Sequence, residues 1–218
     1  LVGLRAPDAG RVLFRGRDLA DRRERRRARP DLQMVFQDPA ASLNPHRTVR
    51  SIIAEGRRVR SVRVDADAHV DHLMRAVGLD PSVADRRPHE LSGGQCQRVA
   101  IARTLLVEPA VLVCDEAVSA LDVSVQAQIL TTLADVRAEL GLTMVFVSHD
   151  LAVVRHISDR VLVMYLGTAC EIAPSDRLFE APAHPYTRGL IASAPDAPEH
   201  DAAHGDLAGE PPSPLEPP

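Results

Sequence analysis

Two short apolar runs in this chain each end in a pair of residues able to do chemistry. Val111 to Cys114 runs into Asp115-Glu116, and Thr143 to Val147 runs into Ser148-His149. A carboxylate directly behind a buried strand is placed to hold Mg²⁺, directly or through water. The next residue points elsewhere, so Glu116 could polarise an attacking water. His149 could meet charge developing on a phosphate. In open parallel sheets ligands gather at the carboxyl ends of strands, which would bring the three side chains to one crevice. Either pair alone is equally well explained as strand-end polar residues near solvent.

A third feature is Leu91-Ser92-Gly93-Gly94-Gln95, which runs into an apolar-periodic segment. Ser92 is placed to cap a helix there. Glycine lets the chain approach a ligand closely, and the free N–H groups and dipole of a helix N-terminus favour an anion such as phosphate. Ser-Gly-Gly is also common loop chemistry, and by itself it decides nothing.

The elements that must position these residues follow from the hydrophobic pattern. Short β-branched runs alternate with amphipathic stretches, which is the pattern of an α/β protein. Strands are expected at Arg11 to Phe14, with Gly16 in the turn behind it, at Leu32 to Phe36, and at Val111 to Cys114. Thr143 to Val147 reads as a second buried strand, and further strands are expected at Arg160 to Tyr165 and Ala169 to Ile172. Helices are expected at Thr48 to Arg57, at Asp65 to Val77 with Gly78 as the stop, and behind Ser92. Another runs along Leu121, Val125, Ile129, Leu133, Val136 and Leu140 and ends at Gly141. One more starts near Asp150, and a last short one covers His184 to Ala194. Asp21 to Arg29 is a charge run, read as the solvated face of a helix or loop rather than as a nucleic-acid patch.

Composition removes several classes of function. All 26 basic residues are Arg, so no mechanism that needs a lysine ammonium can be run by this polypeptide alone. Hydrophobic residues make up 45% and charged residues 26%, an ordinary globular balance. With aromatics at 3% and no Trp, base stacking on aromatic platforms is excluded as a theme. The net charge of −4 makes no case for nucleic acid. The three cysteines are odd in number and far apart, which predicts a reduced, cytoplasmic protein with no disulfide framework or zinc site. No apolar run approaches the ~18–20 residues of a membrane span. From Pro195 on there are six acidic residues, seven Pro and no Arg, which predicts disorder.

Order and spacing join these fragments. Gln37 follows a strand; then come Leu91-Ser92-Gly93-Gly94-Gln95, then Val111 to Glu116, then Ser119-Ala120-Leu121-Asp122, then His149. This order closely resembles the ATP-binding-cassette (ABC) ATPases, with their glutamine loop, signature, Walker B strand, D-loop and histidine switch. Finer matches resemble the ATPases of oligopeptide and dipeptide importers. They are Phe36-Gln37-Asp38-Pro39 with Ala41-Ser42-Leu43-Asn44-Pro45, the stretch from Cys114 to Gln128, and the block His184-Pro185-Tyr186-Thr187-Arg188 behind Leu178-Phe179-Glu180. A turn before a helix would account for His184-Pro185-Tyr186 as well.

The resemblance implies a P-loop NTPase (RecA-like) α/β core with a helical signature subdomain. Residues 1–37 would be part of the core, 38–105 the helical subdomain, 106–172 the rest of the core, 173–194 a C-terminal extension and 195–218 the tail. It implies ATP and Mg²⁺ as ligands. Asp115 and Gln37 would serve the metal, and Glu116 would activate the hydrolytic water. His149 would contact the γ-phosphate, and Gln37 would couple it to the membrane partner. Ser92, Gly93, Gly94 and Gln95 would meet nucleotide held by a second ATPase subunit, identical or not, with Asp122 at that interface. The segment around Asn44-Pro45 and the helix from Thr48 would face a transmembrane permease. A solute-binding protein would act indirectly, nucleic acid would not be a partner, and the place of work would be the cytoplasmic face of the membrane. Some relatives carry a cysteine cluster for iron–sulfur; with only Cys170 nearby, no cluster is expected here.

The chain departs from that pattern in one respect. It has no G-x-x-x-x-G-K-[ST] motif, which supplies the backbone cradle and the cation for nucleotide phosphates. Leu1 to Gly16 resembles the stretch just behind that motif, so an N-terminally truncated member is expected, with the motif encoded upstream or the product a degenerate, non-catalytic subunit. The 218 residues alone are then expected neither to bind ATP tightly nor to hydrolyse it. Micromolar affinity for a fluorescent ATP analogue would contradict this. A non-transport cassette ATPase of translation or DNA repair is the other alternative. The 53 residues between Gln37 and Leu91 leave no room for the coiled-coil insert of such proteins. Cys96, where a longer polar residue is usual, is expected to matter little.

Overall fold

The computed structural model describes residues 2–58, 66–118 and 121–194. The chain divides into two compact units, Leu1–Val147 and Ser148–Pro218. The start of the helix expected at Asp65, the D-loop residues Ser119 and Ala120, and the acidic tail expected to be disordered lie outside the described residues.

The first unit opens with a hairpin of β1 (Leu13–Phe14) and β2 (Arg17–Asp18). Phe14 pairs with Arg17 across a two-residue turn. Both turn residues have left-handed backbones, φ 49° at Arg15 and 75° at Gly16, which suits the right-handed twist of the strands and explains why one of them is glycine. β1 is shorter than its apolar pattern implied, and β2 carries no apolar signal from which it could have been read. Helix α1 (Arg22–Ala28) holds the arginine run; the Asp21 carboxylate caps it by accepting from the Arg23 and Glu24 amides at 2.7 and 3.0 Å. Those two bonds hold the Asp21 carboxyl below its ordinary range. Glu24 takes Arg17 at 2.8 Å and Arg27 at 2.9 Å, so the run is a solvated helix face laced with surface pairs.

Strands β3 (Leu32–Val35), β4 (Val111–Asp115) and β5 (Thr143–Val147) form a parallel sheet in the order β3-β4-β5. Between β3 and β4 the chain builds a helical layer: α2 (Pro39–Ser42), α3 (Val49–Ile53), α4 (Ala66–Ala76) and α5 (Gly93–Leu105). Thr48 caps α3, whose expected length to Arg57 is split by a change to a 3₁₀ turn at Ala54–Arg58. α5 is the centre of this layer. Val99, Ala100, Ile101, Ala102 and Leu105 are all buried, and α2, α3, α4 and β3 pack around it. Helix α6 (Val123–Leu140) returns the chain from β4 to β5 and stops at Gly141. Its stripe buries Ile129, Leu133 and Val136, each worth roughly 1.5–3 kcal/mol when taken fully out of water.

The central strand β4 has a partner on each side, and its Leu112 and Cys114 have no exposed surface. β5 corrects one expectation. Its apolar run predicts a buried strand, yet Thr143 and Val147 are exposed. Among the described residues β5 has a sheet neighbour on one side only, so apolar composition could not by itself make it a core strand.

The second unit comprises α7 (Leu151–Ile157), the antiparallel hairpin of β6 (Arg160–Tyr165) and β7 (Thr168–Pro174), α8 (Ser175–Glu180) and α9 (Pro185–Ala192). Asp150 caps α7 by accepting from the Ala152 and Val153 amides at 3.0 and 3.2 Å. His184 caps α9 through Nδ1, which accepts from the Tyr186 amide at 3.1 Å. Glu171 on β7 accepts from the Ala183 and His184 amides at 2.9 and 3.0 Å, and the Tyr165 and Tyr186 rings lie 4.4 Å apart. The His184-Pro185-Tyr186 block is therefore fastened to the hairpin at both its backbone and its ring.

Candidate functional site

The parallel register determines which residues reach one end of the sheet. Val35 stands opposite Cys114, and Asp115 opposite Val147. Gln37 lies two residues beyond the end of β3 and Glu116 one residue beyond β4, so both leave the same edge of the sheet. The two side chains meet: Gln37 Nε2 donates to Glu116 Oε2 at 2.5 Å, across 79 residues of sequence.

Glu116 owes its direction to an uncommon backbone. Its φ is 46°, left-handed for a residue with a Cβ, and its amide donates to the Val147 carbonyl at 2.9 Å. A non-glycine residue held there is disfavoured by roughly 1–2 kcal/mol and persists because its surroundings impose it. The turn takes Glu116 out of the strand's alternation directly behind Asp115. Asp115 is half-buried at the strand end.

The Ser92 turn is built as a reciprocal cap. Ser92 Oγ accepts from the Gln95 amide at 3.3 Å, while Gln95 Oε1 accepts from the Ser92 amide at 3.0 Å. Gln95 is thus tied up holding the helix start. The two glycines differ. A Cβ on Gly93 would have no heavy atom within 4 Å, whereas a Cβ on Gly94 would stand 2.6 Å from Val125 Cγ1. Gly94 is glycine because α6 packs against it; Gly93 leaves the N-terminus of α5 open for a ligand. Gly94→Ala is therefore expected to lower stability by about 1–2 kcal/mol through overpacking. Gly93→Ala should be near neutral, and chemical denaturation of the two variants checks the pair.

Asp122 is exposed ahead of α6. Its carbonyl accepts from the Gln126 amide at 2.8 Å, and its carboxylate makes no cap bond to the helix it precedes. That leaves a negative group at the positive end of an 18-residue helix. His149 belongs to the second unit, where it is exposed between Ser148 and the α7 cap Asp150.

The donor set suits the expected metal. Mg²⁺ keeps several waters and takes one or two protein oxygens, and the Asp115 carboxylate and Gln37 amide oxygen supply that number. Among the described residues no cluster of three or more His, Cys, Asp or Glu could hold a metal. The open space at Gly93 is the corresponding fit for a phosphate.

Two residues of the helical layer that make long-range side-chain hydrogen bonds escaped the sequence reading, Arg98 and Arg103. Both are charged residues embedded in the apolar face of α5, and that placement was the available signal.

The known proteins agree with this architecture. A family model described as ABC transporter matches residues 1–119, and one described as the oligopeptide/dipeptide transporter C-terminal region matches residues 170–218. The oligopeptide transport ATP-binding protein OppF of Salmonella typhimurium is 48% identical over all of this chain and 68% of its own length. AppF of Bacillus subtilis is 46% identical over all of this chain and 69% of its own. Among solved structures, cbiO1 from Clostridium perfringens, part of the ABC transporter complex cbiONQ, superposes with a TM-score of 0.73 at 30% identity. It covers 83% of this chain and 72% of that one. The ATP-binding cassette MJ0796, a dimer in a post-hydrolysis state bound to ADP and Pi, gives a TM-score of 0.71 at 27% identity, covering 80% and 77%. With more than half the residues under one family model and relatives near half identical along its whole length, the chain belongs to the ABC transporter ATPases.

Proposed function

We propose that this chain is the ATP-hydrolysing subunit of an importer of oligopeptides or dipeptides. The observation that carries the hydrolytic part is the Gln37–Glu116 hydrogen bond beside Asp115, at the carboxyl end of the central strand. The likeness of residues 170–218 to the oligopeptide/dipeptide transporter region supports the cargo.

The roles of the side chains follow from their chemistry. Glu116 accepts a proton from, or orients, the attacking water. Gln37, donating to one carboxylate oxygen, fixes the direction in which Glu116 presents itself. Asp115, with the Gln37 amide oxygen, would hold Mg²⁺, which when bound neutralises charge on the phosphates. His149 would contact the terminal phosphate. Ser92, Gly93 and Gly94 would meet nucleotide on a second ATPase subunit, with Gln95 acting through the cap and Asp122 at the same interface. Residues 38–105 would form the helical subdomain and 173–194 the extension.

Among the described residues no helix is long and apolar enough to cross a membrane. Attachment to transmembrane permeases is proposed to be peripheral, on the cytoplasmic side, with a solute-binding protein delivering the cargo, a reading supported by the likeness to oligopeptide transport ATP-binding proteins. Deleting the coding segment and following uptake of a labelled tripeptide tests this reading. Loss of uptake supports it, and unchanged uptake with loss of a different solute's transport would refute the peptide assignment.

A further inference from the structure

Two arginines interrupt the apolar face of α5, and they point to different neighbours. Arg98 closes the end of α4: its Nη1 donates to the Val77 carbonyl at 2.6 Å and its Nη2 to Gln128 Oε1 at 3.1 Å. Arg103 reaches the segment behind Gln37. Its Nη1 donates to the Ser42 carbonyl at 2.7 Å and its Nη2 to Ser42 Oγ at 3.3 Å.

Ser42 is the last residue of α2, which is four residues long. A helix of one turn cannot sustain itself, because nucleation fixes several dihedrals for one hydrogen bond. The internal supports of α2 are the Ala41 amide donating to Asp38 Oδ1 at 3.0 Å and Ser42 Oγ donating to the Pro39 carbonyl at 2.8 Å. Arg103 adds a tie from outside. Its planar fork takes both the carbonyl that the helix end leaves open and the neighbouring hydroxyl.

The connection between β3 and α2 consists of Phe36, Gln37 and Asp38. At one end Val35 is fixed by its pairing with Cys114. At the other, Pro39 begins the helix that Arg103 holds. A three-residue link fixed at both ends has few conformers, and one of them delivers the Gln37 amide to Glu116.

We infer that Arg103 is a positioning residue for Gln37: by seating α2 on α5 it sets the reach of the Gln37 amide to the Glu116 carboxylate. The helix that bears Arg103 begins at the Ser92-Gly93 turn. The same rigid rod thus carries the anion-facing N-terminus and the anchor of the Gln37 segment, and a shift of either is felt by the other. Burial pushes the Arg103 guanidinium below its ordinary pKa, and Glu55 opposes that. An arginine remains a cation across the working range of a protein, so the tie is not a proton switch. The inference rests on this geometry; only its consequence for turnover depends on the proposed ATPase reading.

The test is ¹⁵N NMR of the whole chain under reducing conditions. Arg103→Met keeps the apolar stem and removes the fork. The Gln37 side-chain amide signals are expected to move to the position of a solvated glutamine. Exchange of the Ala41 amide should quicken about tenfold, the scale of one lost hydrogen bond. Arg103→Lys should give an intermediate response, since one ammonium cannot span carbonyl and hydroxyl together. Ser42→Ala removes one acceptor of the fork together with the hydroxyl's own bond to the Pro39 carbonyl, and is read beside Arg103→Lys, with a smaller shift of the same sign, if Arg103→Met does not fold. Arg98→Met cuts a more buried tie elsewhere on α5 and should leave both readouts in place. An unmoved Gln37 amide in Arg103→Met, or in both milder variants, overturns the inference; so does an equal movement in Arg98→Met. A failed ATPase reading would show as absent turnover in a form that carries a phosphate-binding loop ahead of Leu1 and leave these signals untouched.

Discussion

Glu116→Gln is expected to lower ATP turnover by about 10²–10⁴-fold, the usual contribution of a positioned general base. The assay uses a form that carries a phosphate-binding loop ahead of Leu1, since the 218 residues contain no lysine with which to build one. The substitution keeps volume and keeps an acceptor oxygen, so the bond from Gln37 Nε2 survives and the left-handed turn at φ 46° is unaltered. What is lost is the charge that orients or deprotonates water. Nucleotide binding should therefore be preserved, because no contact to phosphate is removed. Single-turnover measurement separates the two quantities. Near-normal hydrolysis would show that Glu116 is not the carboxylate in question, and loss of binding as well as hydrolysis would move it into the ligand cradle. The companion Gln37→Ala should reduce turnover less, since it removes the group that aims Glu116 and one proposed metal oxygen but leaves the base itself and Asp115 in place.

That experiment depends on a juxtaposition that sequence alone could only partly supply. The strand assignments at Leu32 and Val111 were legible because continuous β-branched runs have few other homes, and the parallel pairing of β3 with β4 then follows from the helical stretch between them. That Gln37 and Glu116 touch could not be read, since a hydrogen bond across 79 residues depends on register and on one left-handed backbone angle. The position of Ser92 marks it as a cap, but the return bond from the Ser92 amide to Gln95 Oε1 carries no separate sequence signal, because a Gln behind Ser-Gly-Gly serves a ligand equally well. The short α2 and β2 escaped for a different reason. Elements of four and two residues carry no period, and they exist here because Arg103 and a Gly-containing turn hold them. Hydrophobic pattern overstated β5, since pattern reports composition and a strand's burial depends also on its place in the sheet.

The absence of lysine has a second consequence, at alkaline pH. Lysines ordinarily titrate near ~10.4 and dominate that range, whereas arginine holds its proton beyond it. Here all 26 basic side chains are Arg. Between about pH 9 and 12 the pH dependence of stability is therefore left to a few thiols and phenols. Cys114, the fourth of the five residues of β4, is fully buried, and burial pushes its thiol from 9.0 up to about 12. Cys96, also buried, is raised in the same direction. The folded state thus keeps a proton on Cys114 that the unfolded chain gives up. This contribution is fully present below the unfolded value near 9.0 and is lost as pH climbs toward about 12. At about pH 10.5 the expected loss from Cys114 is roughly 2 kcal/mol, at ~1.4 kcal/mol per pH unit past the unfolded value. Cys114→Ala removes the ionisable group. It should cost about 1 kcal/mol at neutral pH through the small cavity it leaves, yet its stability should fall less steeply between pH 8 and pH 10.5 than that of the unaltered chain. The two tyrosines and Cys96 are present in both proteins and cancel in the comparison. Urea midpoints followed by circular dichroism, with reductant throughout, give the two slopes. Parallel slopes would mean that Cys114 ionises as readily in the folded strand as in the unfolded chain, and that β4 is open to water at Cys114.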